Sequence, residues 1–428
     1  MLKVLRDPKI LSYALGIIAL SIPYFYQYTA ILLIIFYVLW ALQANLKEFA
    51  SNLRQRKVIW VWIAFYLLHV ISYTYSLDKD YSAFDLERKV SLLLFPLVVG
   101  GGVKTDDKAL TRIFTLFVAG VSLLAIFCLG RAIHIYQATH SFDHFFYHKL
   151  VAGFDPNAVY CALYSLFAIA ILLFHPISST ELNYLRVPLL IIIVIFFILL
   201  SSRTLILAFF ALVIPYYLIY SFRRRKKGAL YVITLFLLYA ALAVAIFKTD
   251  NPIRSRYAEI FKSSETTKWS DSNVAHSQNF NNLSLRLFLW RVAFNNVRDN
   301  DLWLKGGGNG SATILQNRKM TEYGIKDIYN PNNRSALYNI NTHNMYVQTL
   351  LELGIPGLTL LLMAGFSFVA YLKHTKVKEL SIVLNLTVLL LMFQESVLET
   401  QAGVVFYALF AMIIYSHTKT LQSRENIS

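Results

Sequence analysis

Charge is what this sequence has least of. Only 15% of its 428 residues are Asp, Glu, Lys or Arg, against 57% hydrophobic, where soluble domains carry roughly 25% charged residues. That balance excludes an ordinary water-soluble domain. Cysteine is scarce too: Cys128 and Cys161 are the only two, both fall in apolar runs, and they read as small buried hydrophobes rather than as a disulfide or metal pair. There is no repeat at a period of roughly 20–50 residues and no low-complexity tract. No His-Glu-x-x-His spacing offers a metal site, and no Gly-Lys-Ser/Thr ending completes an ATP-binding P-loop.

What the chain has instead is a succession of apolar runs able to cross a hydrocarbon core of about 30 Å as helices, which satisfy their own backbone groups. The pattern predicts twelve spans, at 10–23, 28–45, 58–75, 89–103, 110–134, 157–175, 185–201, 203–221, 229–247, 343–372, 379–395 and 401–417. The fold class is therefore an all-α polytopic membrane protein. It divides into an N-terminal bundle of nine spans (1–247), a polar loop with an amphipathic helix (248–342), and three C-terminal spans with a short tail (343–428). The first run follows Lys3, Arg6 and Lys9 as a signal peptide would, but no small-residue cleavage site follows "SIPYFYQYT", so it reads as a retained span.

Basic residues accumulate in short cytoplasmic loops. With both termini inside, the internal segments hold Lys47, Arg54, Arg56 and Lys57, then Lys104, Lys108 and Arg112, then "RRRKK" at 223–227, then Lys373, Lys376 and Lys378. The short external turns are almost devoid of Lys and Arg. This asymmetry absorbs much of the formal charge of +16, and "RRRKK" reads as a topogenic stop facing anionic lipid, with no nucleic acid required.

The long loop lies outside. Its first part, "KSSETTKWSDSNVAHSQNFNN", is polar; the next, "LSLRLFLWRVAFNNVRDN", has helical periodicity with Ser284 as candidate N-cap. At 100° per residue, Leu289, Trp290, Ala293 and Val297 surround Arg286, while Arg291, Asn295 and Arg298 gather opposite. Arg286 either snorkels to water or lipid phosphate, or is a preplaced cation for an anion at the membrane surface. "KGGGNGSA" (305–312) follows, a turn or a phosphate-approaching loop. Arg203, in "LLSSRTLILAF", occupies a connection too short to leave the interface and must meet a headgroup, water, a partner or a bound anion.

In "NTHNMYVQTLLELGIPG" (341–357), His343 and Asn344 stand at the mouth of span ten, with Asn341 or Thr342 expected as the cap. The positive end of that helix attracts anions and disfavours an imidazolium. His343 is therefore expected to stay neutral near pH 7, as suits a general base, or to serve as a hydrogen-bonded anchor. Glu352 lies deeper, where an interhelical bond or ion pair is expected. Glu395 and Glu399 flank the last outer turn, and Asp143, His144, His148 and Asp155 occupy the turn before span six; all are candidates for lining an outer cavity.

The order "SSRTLILAF", "RLFLWRVAF", "GGGNG", "HNMYVQTLLELGIPG", "ESVLETQAG", covering about 200 to 410, resembles the O-antigen ligase and O-antigen polymerase superfamily. The resemblance implies a GT-C-type bundle in the bacterial inner membrane, with termini in the cytoplasm and the site facing the periplasm. It implies an inverting, metal-independent glycosyltransferase, without cofactor, that takes a glycan from undecaprenyl diphosphate. A ligase passes the glycan to lipid A–core; a polymerase passes it to another lipid-linked repeat. By motif position Arg203 and Arg286 match the diphosphate-contacting arginines and His343 the essential histidine, with Arg291, Asn344, Glu395 and Glu399 as possible accessories. A transporter of lipid-linked glycans would share the spans and basic loops, but is expected to place charges at mid-membrane and to show repeats or broken helices.

Overall fold

The computed structural model describes residues 8–103, 105–175, 184–223, 282–323 and 340–418, with single positions between 230 and 254. Much of the predicted ninth span and of the predicted outer loop, and the basic run beyond Arg223, lie outside the described residues. Among those described, all regular structure is helical: α1 (Pro8–Ser21), α2 (Tyr26–Gln43), α3 (Leu46–Gln55), α4 (Lys57–Tyr73), α5 (Lys79–Lys89), α6 (Ser91–Phe95), α7 (Asp107–Thr139), α8 (Ala158–Phe174), α9 (Arg186–Leu199), α10 (Arg203–Arg223), α11 (Asn282–Asp299), α12 (Ala312–Glu322), α13 (Met345–Phe366), α14 (Lys378–Leu391) and α15 (Gln401–Ser416). Among the described residues, four helices are long and apolar enough to cross a membrane: Tyr26–Gln43, Asp107–Thr139, Arg203–Arg223 and Met345–Tyr371. The shorter apolar helices Lys9–Ser21, Lys57–Tyr73, Ala158–Phe174, Arg186–Leu199 and Gln401–Ser416 accompany them. α3, α5 and α12 fall where the sequence suggested only connections.

Polar residues at the helix starts explain where the helices begin. Asp78 accepts from Tyr81 N at 2.9 Å, Asp106 from Ala109 N at 2.6 Å, and Asn157 from Val159 N at 2.9 Å, each satisfying a backbone donor that a helix start leaves orphaned. α8 and α15 form the centre. Along α8 every side chain except Val159 is buried, and along α15 every one except Gln401. Phe114, Phe117, Phe167, Phe406 and Phe410 interlock between α7, α8 and α15 at centroid separations of 4.7–6.2 Å, the spacing at which aromatic edges meet faces. Cys128 and Cys161 are free and buried, as expected. α2 is the opposite case: only Thr29, Leu33 and Phe36 are buried.

One end of the bundle gathers the starts of α8, α10, α13 and α15 and the end of α14. Asp107 ties the other end, contacting Lys376 Nζ at 2.7 Å and His417 Nε2 at 2.9 Å.

α13 is broken. Gly354 stands at φ 66° within it and Pro356 follows. Pro356 has no N–H to give Glu352 O, and Ile355 N turns away to Trp303 O at 2.7 Å, so the carbonyls of Leu351 and Glu352 lose their helical donors. The glycine-rich segment replaces both: Gly307 N donates to Leu351 O and Gly308 N to Glu352 O, each at 2.9 Å. Gly306 (φ 67°) approaches so closely that a Cβ there would collide with the Glu352 carbonyl. Asn309, fully buried, takes its N–H to Ser72 Oγ (3.0 Å) and its amide to Ser82 O (3.2 Å). The glycines therefore serve a break in a helix, and the N–H groups of Gly306, Gly307 and Gly308 are all occupied by protein carbonyls.

Candidate functional site

Val159, the one unburied residue of α8, opens on a cavity at the first end of the bundle, lined also by Tyr147, Ser202, Arg203, Thr204, Arg286, Leu391, Gln394 and Glu395. Arg203 begins α10, two residues after a left-handed Ser201 (φ 53°) and directly after the extended Ser202. Arg286 comes from α11, on the face that buries Leu289, Ala293 and Val297, as the helical projection expects. The Thr204 hydroxyl donates to Gln394 Oε1, tying α10 to the turn that carries Glu395. The free volume is about 50 Å³, one or two waters at ~30 Å³ each; any larger ligand extends through the mouth.

His343 approaches this cavity through Glu395: its Nδ1 lies 3.6 Å from Glu395 Oε1, beyond hydrogen-bond length, and makes no hydrogen bond among the described residues. The side chain is 30% exposed, open to an incoming group. Its backbone is left-handed (φ 47°) and its N–H donates to Asn341 Oδ1 at 2.9 Å. Neighbouring helices hold the turn: Trp290 Nε1 donates to Thr342 O at 3.0 Å, Met345 N to Met392 O at 2.8 Å, and the Tyr346 hydroxyl to Leu389 O at 2.8 Å. Tyr147, Ser201 and His343 are three of the five non-glycine residues with positive φ among those described. Such conformations cost ~1–3 kcal/mol and persist where surroundings enforce them, so backbone strain concentrates around the cavity.

The expected caps are corrected. Asn344, not Asn341 or Thr342, caps α13, accepting from Tyr346 N at 3.0 Å and Val347 N at 3.1 Å. Asn341 and Thr342 instead shape the preceding turns, Thr342 Oγ1 accepting from Asn344 N. The Asn344 amide, 3% exposed, is thus committed to the helix. α11 already includes Asn282 and Leu283, which leaves Ser284 buried within the helix rather than capping it. Arg291 does not line the cavity. Nor does the turn before α8 supply its acids and histidines: Asp143 pairs with Lys149 at the surface (2.8 Å), Asp155 Oδ2 accepts from Tyr26 N (2.6 Å), and Tyr147 reaches the cavity instead.

Glu399 is drawn elsewhere, into a buried ionic cluster centred on a residue that the sequence reading did not single out. Lys89 Nζ, fully buried, lies 2.7 Å from Asp85, 2.6 Å from Glu399 and 3.9 Å from Glu352. Arg88 shares Asp85 at 2.7 Å, and Gln348 Nε2 donates to Glu352 at 2.9 Å. Glu352 thus finds the expected ion pair. Burial raises the Asp85 carboxyl, but Lys89 and Arg88 outweigh it and hold Asp85 below the usual carboxylate range. Burial pushes Glu399 above that range despite Lys89. Lys89 stands at the start of a predicted span, where a lysine passes for an interfacial charge. Among the described residues no group of three or more His, Cys, Asp or Glu is arranged to hold a metal.

The architecture and cavity define a helical membrane protein with two arginines, a carboxylate and a nearby histidine at one end of its bundle. Residues 188–362 match the family model described as O-antigen ligase, which supports the O-antigen ligase and polymerase superfamily for this chain. The match takes in Arg203, Arg286 and His343. No curated protein matches the chain.

Proposed function

We propose that the protein is a membrane glycosyltransferase that moves a glycan from undecaprenyl diphosphate to a hydroxyl acceptor, with ligation of O-antigen to lipid A–core as its reaction. The observation that carries this reading is the meeting of Arg203, Arg286 and Glu395 around one cavity with His343 Nδ1 3.6 Å from Glu395. In this reading the bundle is GT-C-like with twelve spans, it sits in the bacterial inner membrane with cytoplasmic termini, and the cavity faces the periplasm. The basic internal loops support that orientation.

A lipid diphosphate is already a good leaving group, so the site needs no nucleotide and no covalent enzyme intermediate. The acceptor oxygen attacks the anomeric carbon from the face opposite the diphosphate. As the new C–O bond forms, the bond to the diphosphate oxygen breaks, its electron pair leaves with the phosphate, and the configuration inverts. Arg203 and Arg286 stabilise that growing charge, each at ~3 kcal/mol by analogy with one oxyanion donor. His343 takes the acceptor proton on Nε2 while Glu395 faces Nδ1 and steadies the imidazolium, worth about 10²–10⁴ in rate.

The test is transfer by purified protein. His343→Ala abolishes transfer while lipid-diphosphate binding persists; full activity refutes the assignment. Arg203→Ala and Arg286→Ala weaken donor use, and an Arg286→Lys protein that binds and turns over like the wild type removes bidentate recognition from the scheme. Deleting the gene distinguishes the alternative polymerase: loss of polymer from lipid A with accumulated long lipid-linked chains marks a ligase, single repeats on core a polymerase.

Two observations favour weighing a transporter: the break at Gly354 and the buried charge on Lys89. Both are filled from within the protein. The glycine-rich loop occupies the break, and the Lys89 cluster is internally paired, which favours a brace over a substrate path. In proteoliposomes, donor movement without transfer to any acceptor would reverse that preference.

A further inference from the structure

Gln348 and Glu352 stand one turn apart in the first half of α13, and both are buried. An amide and a carboxyl taken out of water carry a desolvation cost that hydrogen bonds must offset, so their partners tell what they do. The helix start needs neither of them, because Asn344 already takes the N–H groups of Tyr346 and Val347. Gln348 instead reaches back past the cap. Its Oε1 accepts from Thr342 N at 3.3 Å, and the Thr342 hydroxyl lies 3.1 Å from the same oxygen. Its Nε2 donates to Glu352 Oε1 at 2.9 Å. A backbone N–H can only donate, so Thr342 fixes which way the amide points and leaves the NH2 group for the carboxyl.

Thr342, itself buried, is held at every polar atom. Gln348 takes its N–H, Trp290 Nε1 donates to its carbonyl at 3.0 Å, and its hydroxyl sits between Gln348 Oε1 and Asn344 O, 2.8 Å from the latter. The next residue is His343, whose φ of 47° is one that a side chain with a Cβ keeps only where its surroundings enforce it. Glu352 carries the contact onward. Its Oε2 lies 3.9 Å from Lys89 Nζ, and the same ammonium lies 2.6 Å from Glu399. Glu399 closes the turn that begins at Glu395, where Val397 N donates to Glu395 O at 2.9 Å and Glu399 N to Ser396 O at 3.0 Å.

Two arms therefore run from one buried ammonium. One passes through Glu399 to the turn that carries Glu395; the other passes through Glu352, Gln348 and Thr342 to the turn that carries His343. Both ends of the 3.6 Å approach between His343 and Glu395 are referred to the same fixed point. Resting on the glycosyl-transfer reading above, we propose that Gln348 is a positioning residue for His343, the amide link by which the Lys89 cluster sets the imidazole against the Glu395 carboxylate. Gln348 does not line the cavity; it acts through the backbone of Thr342 and His343.

The test uses the full-length protein in nanodiscs and Gln348→Met, which keeps the length of the side chain and removes both amide bonds. Its kcat is expected to fall about 10–100-fold, the cost of misplacing a reacting group by about an ångström, while the KM values for donor and acceptor stay within about twofold of wild type. Carbethoxylation of His343 by diethyl pyrocarbonate, mapped by peptide mass, is expected to quicken as the ring leaves Glu395, with the exposed His140 as the unchanged reference. Thr342→Val removes the hydroxyl and should lower kcat in the same sense, whereas Thr342→Ser restores it and should keep kcat within about twofold of wild type. If Gln348→Met yields no folded protein, this pair decides alone, and equal kcat in the two variants overturns the proposal. So does a Gln348→Met protein with wild-type kcat per folded molecule, with its change confined to KM, or with His343 carbethoxylated at the wild-type rate. Retained transfer in His343→Ala would sink the catalytic scheme alone, because carbethoxylation of His343 is read without turnover.

Discussion

Lys89→Met is the most exacting perturbation this structure offers. The native cluster sets Lys89 and Arg88 against Asp85, Glu352 and Glu399, two cations against three carboxylates. At 2.7 Å and an effective dielectric near 20, the attraction of Lys89 to one carboxylate is ~6 kcal/mol before desolvation. Desolvation consumes much of that, but removing one partner strands the others, and breaking a buried pair in this way typically costs ~3–5 kcal/mol. Lys89→Met leaves one cation for three carboxylates and is expected to lose ~3–5 kcal/mol of unfolding free energy. Glu399→Gln leaves two against two and is expected to lose under ~2 kcal/mol, near the scale of one hydrogen bond to a charged group. Combining them restores part of the loss. The assay is denaturant unfolding in mild detergent followed by tryptophan fluorescence. The reasoning fails if Lys89→Met stays within ~0.5 kcal/mol of wild type, the range of an ordinary surface substitution, or if Glu399→Gln is the more damaging change.

Asn344→Ala removes the cap of α13 and should cost ~1 kcal/mol, with slower glycan transfer because the same residue ends the turn that aims His343; unfolding and initial-rate measurements check both. Gly306→Ala puts a Cβ against the Glu352 carbonyl at a left-handed φ and should expose 305–311 to proteolysis, whereas Gly130→Ala, in α7 with nothing within 4 Å of its new Cβ, should be neutral or stabilising by ~0.5–1 kcal/mol. The Lys319 ammonium, 2.8 Å from Asp299, holds that carboxyl below its usual range. A depressed carboxyl stabilises the fold above its unfolded value of about 3.9 and loses that contribution as pH falls through the folded one. Hydrogen exchange across α11 and α12 should therefore accelerate only below about pH 4, and Asp299→Asn should remove the dependence.

Apolar runs were legible because lipid and protein interior impose the same demand on side chains, and the helices found at 26–43, 107–139, 203–223 and 345–371 lie where hydropathy put them. Arg286 was legible as the odd cation on an apolar stripe, Arg203 as a charge in too short a connection, and Glu395 as a carboxylate beside an outer turn. Their meeting was not, because it depends on how α10, α11 and α14 lean together. Lys89 escaped because its partners Glu352 and Glu399 stand far along the chain. The cap of α13 at Asn344 stands two to three residues beyond the expected Thr342 or Asn341, because several amides and hydroxyls in succession compete to end the same turn. The glycines of 306–310 read as a turn or as an approach to a phosphate, whereas they approach the carbonyls of Leu351 and Glu352, a partner that composition alone does not name. The missing N–H of Pro356, in plain sight, was the clue.

The glycine-rich segment carries a consequence for biogenesis. Its contacts with Ser72, Ser76 and Ser82 belong to elements made earlier, while the carbonyls to which its N–H groups donate belong to a helix made later. Residues 305–310 can thus settle on the completed amino-terminal half before α13 leaves the ribosome, ready to receive a segment that would otherwise enter lipid with two bare carbonyls. The order of synthesis and the order of docking coincide, so a translocation delay between these two stretches is tolerated better than a circular permutation that reverses them.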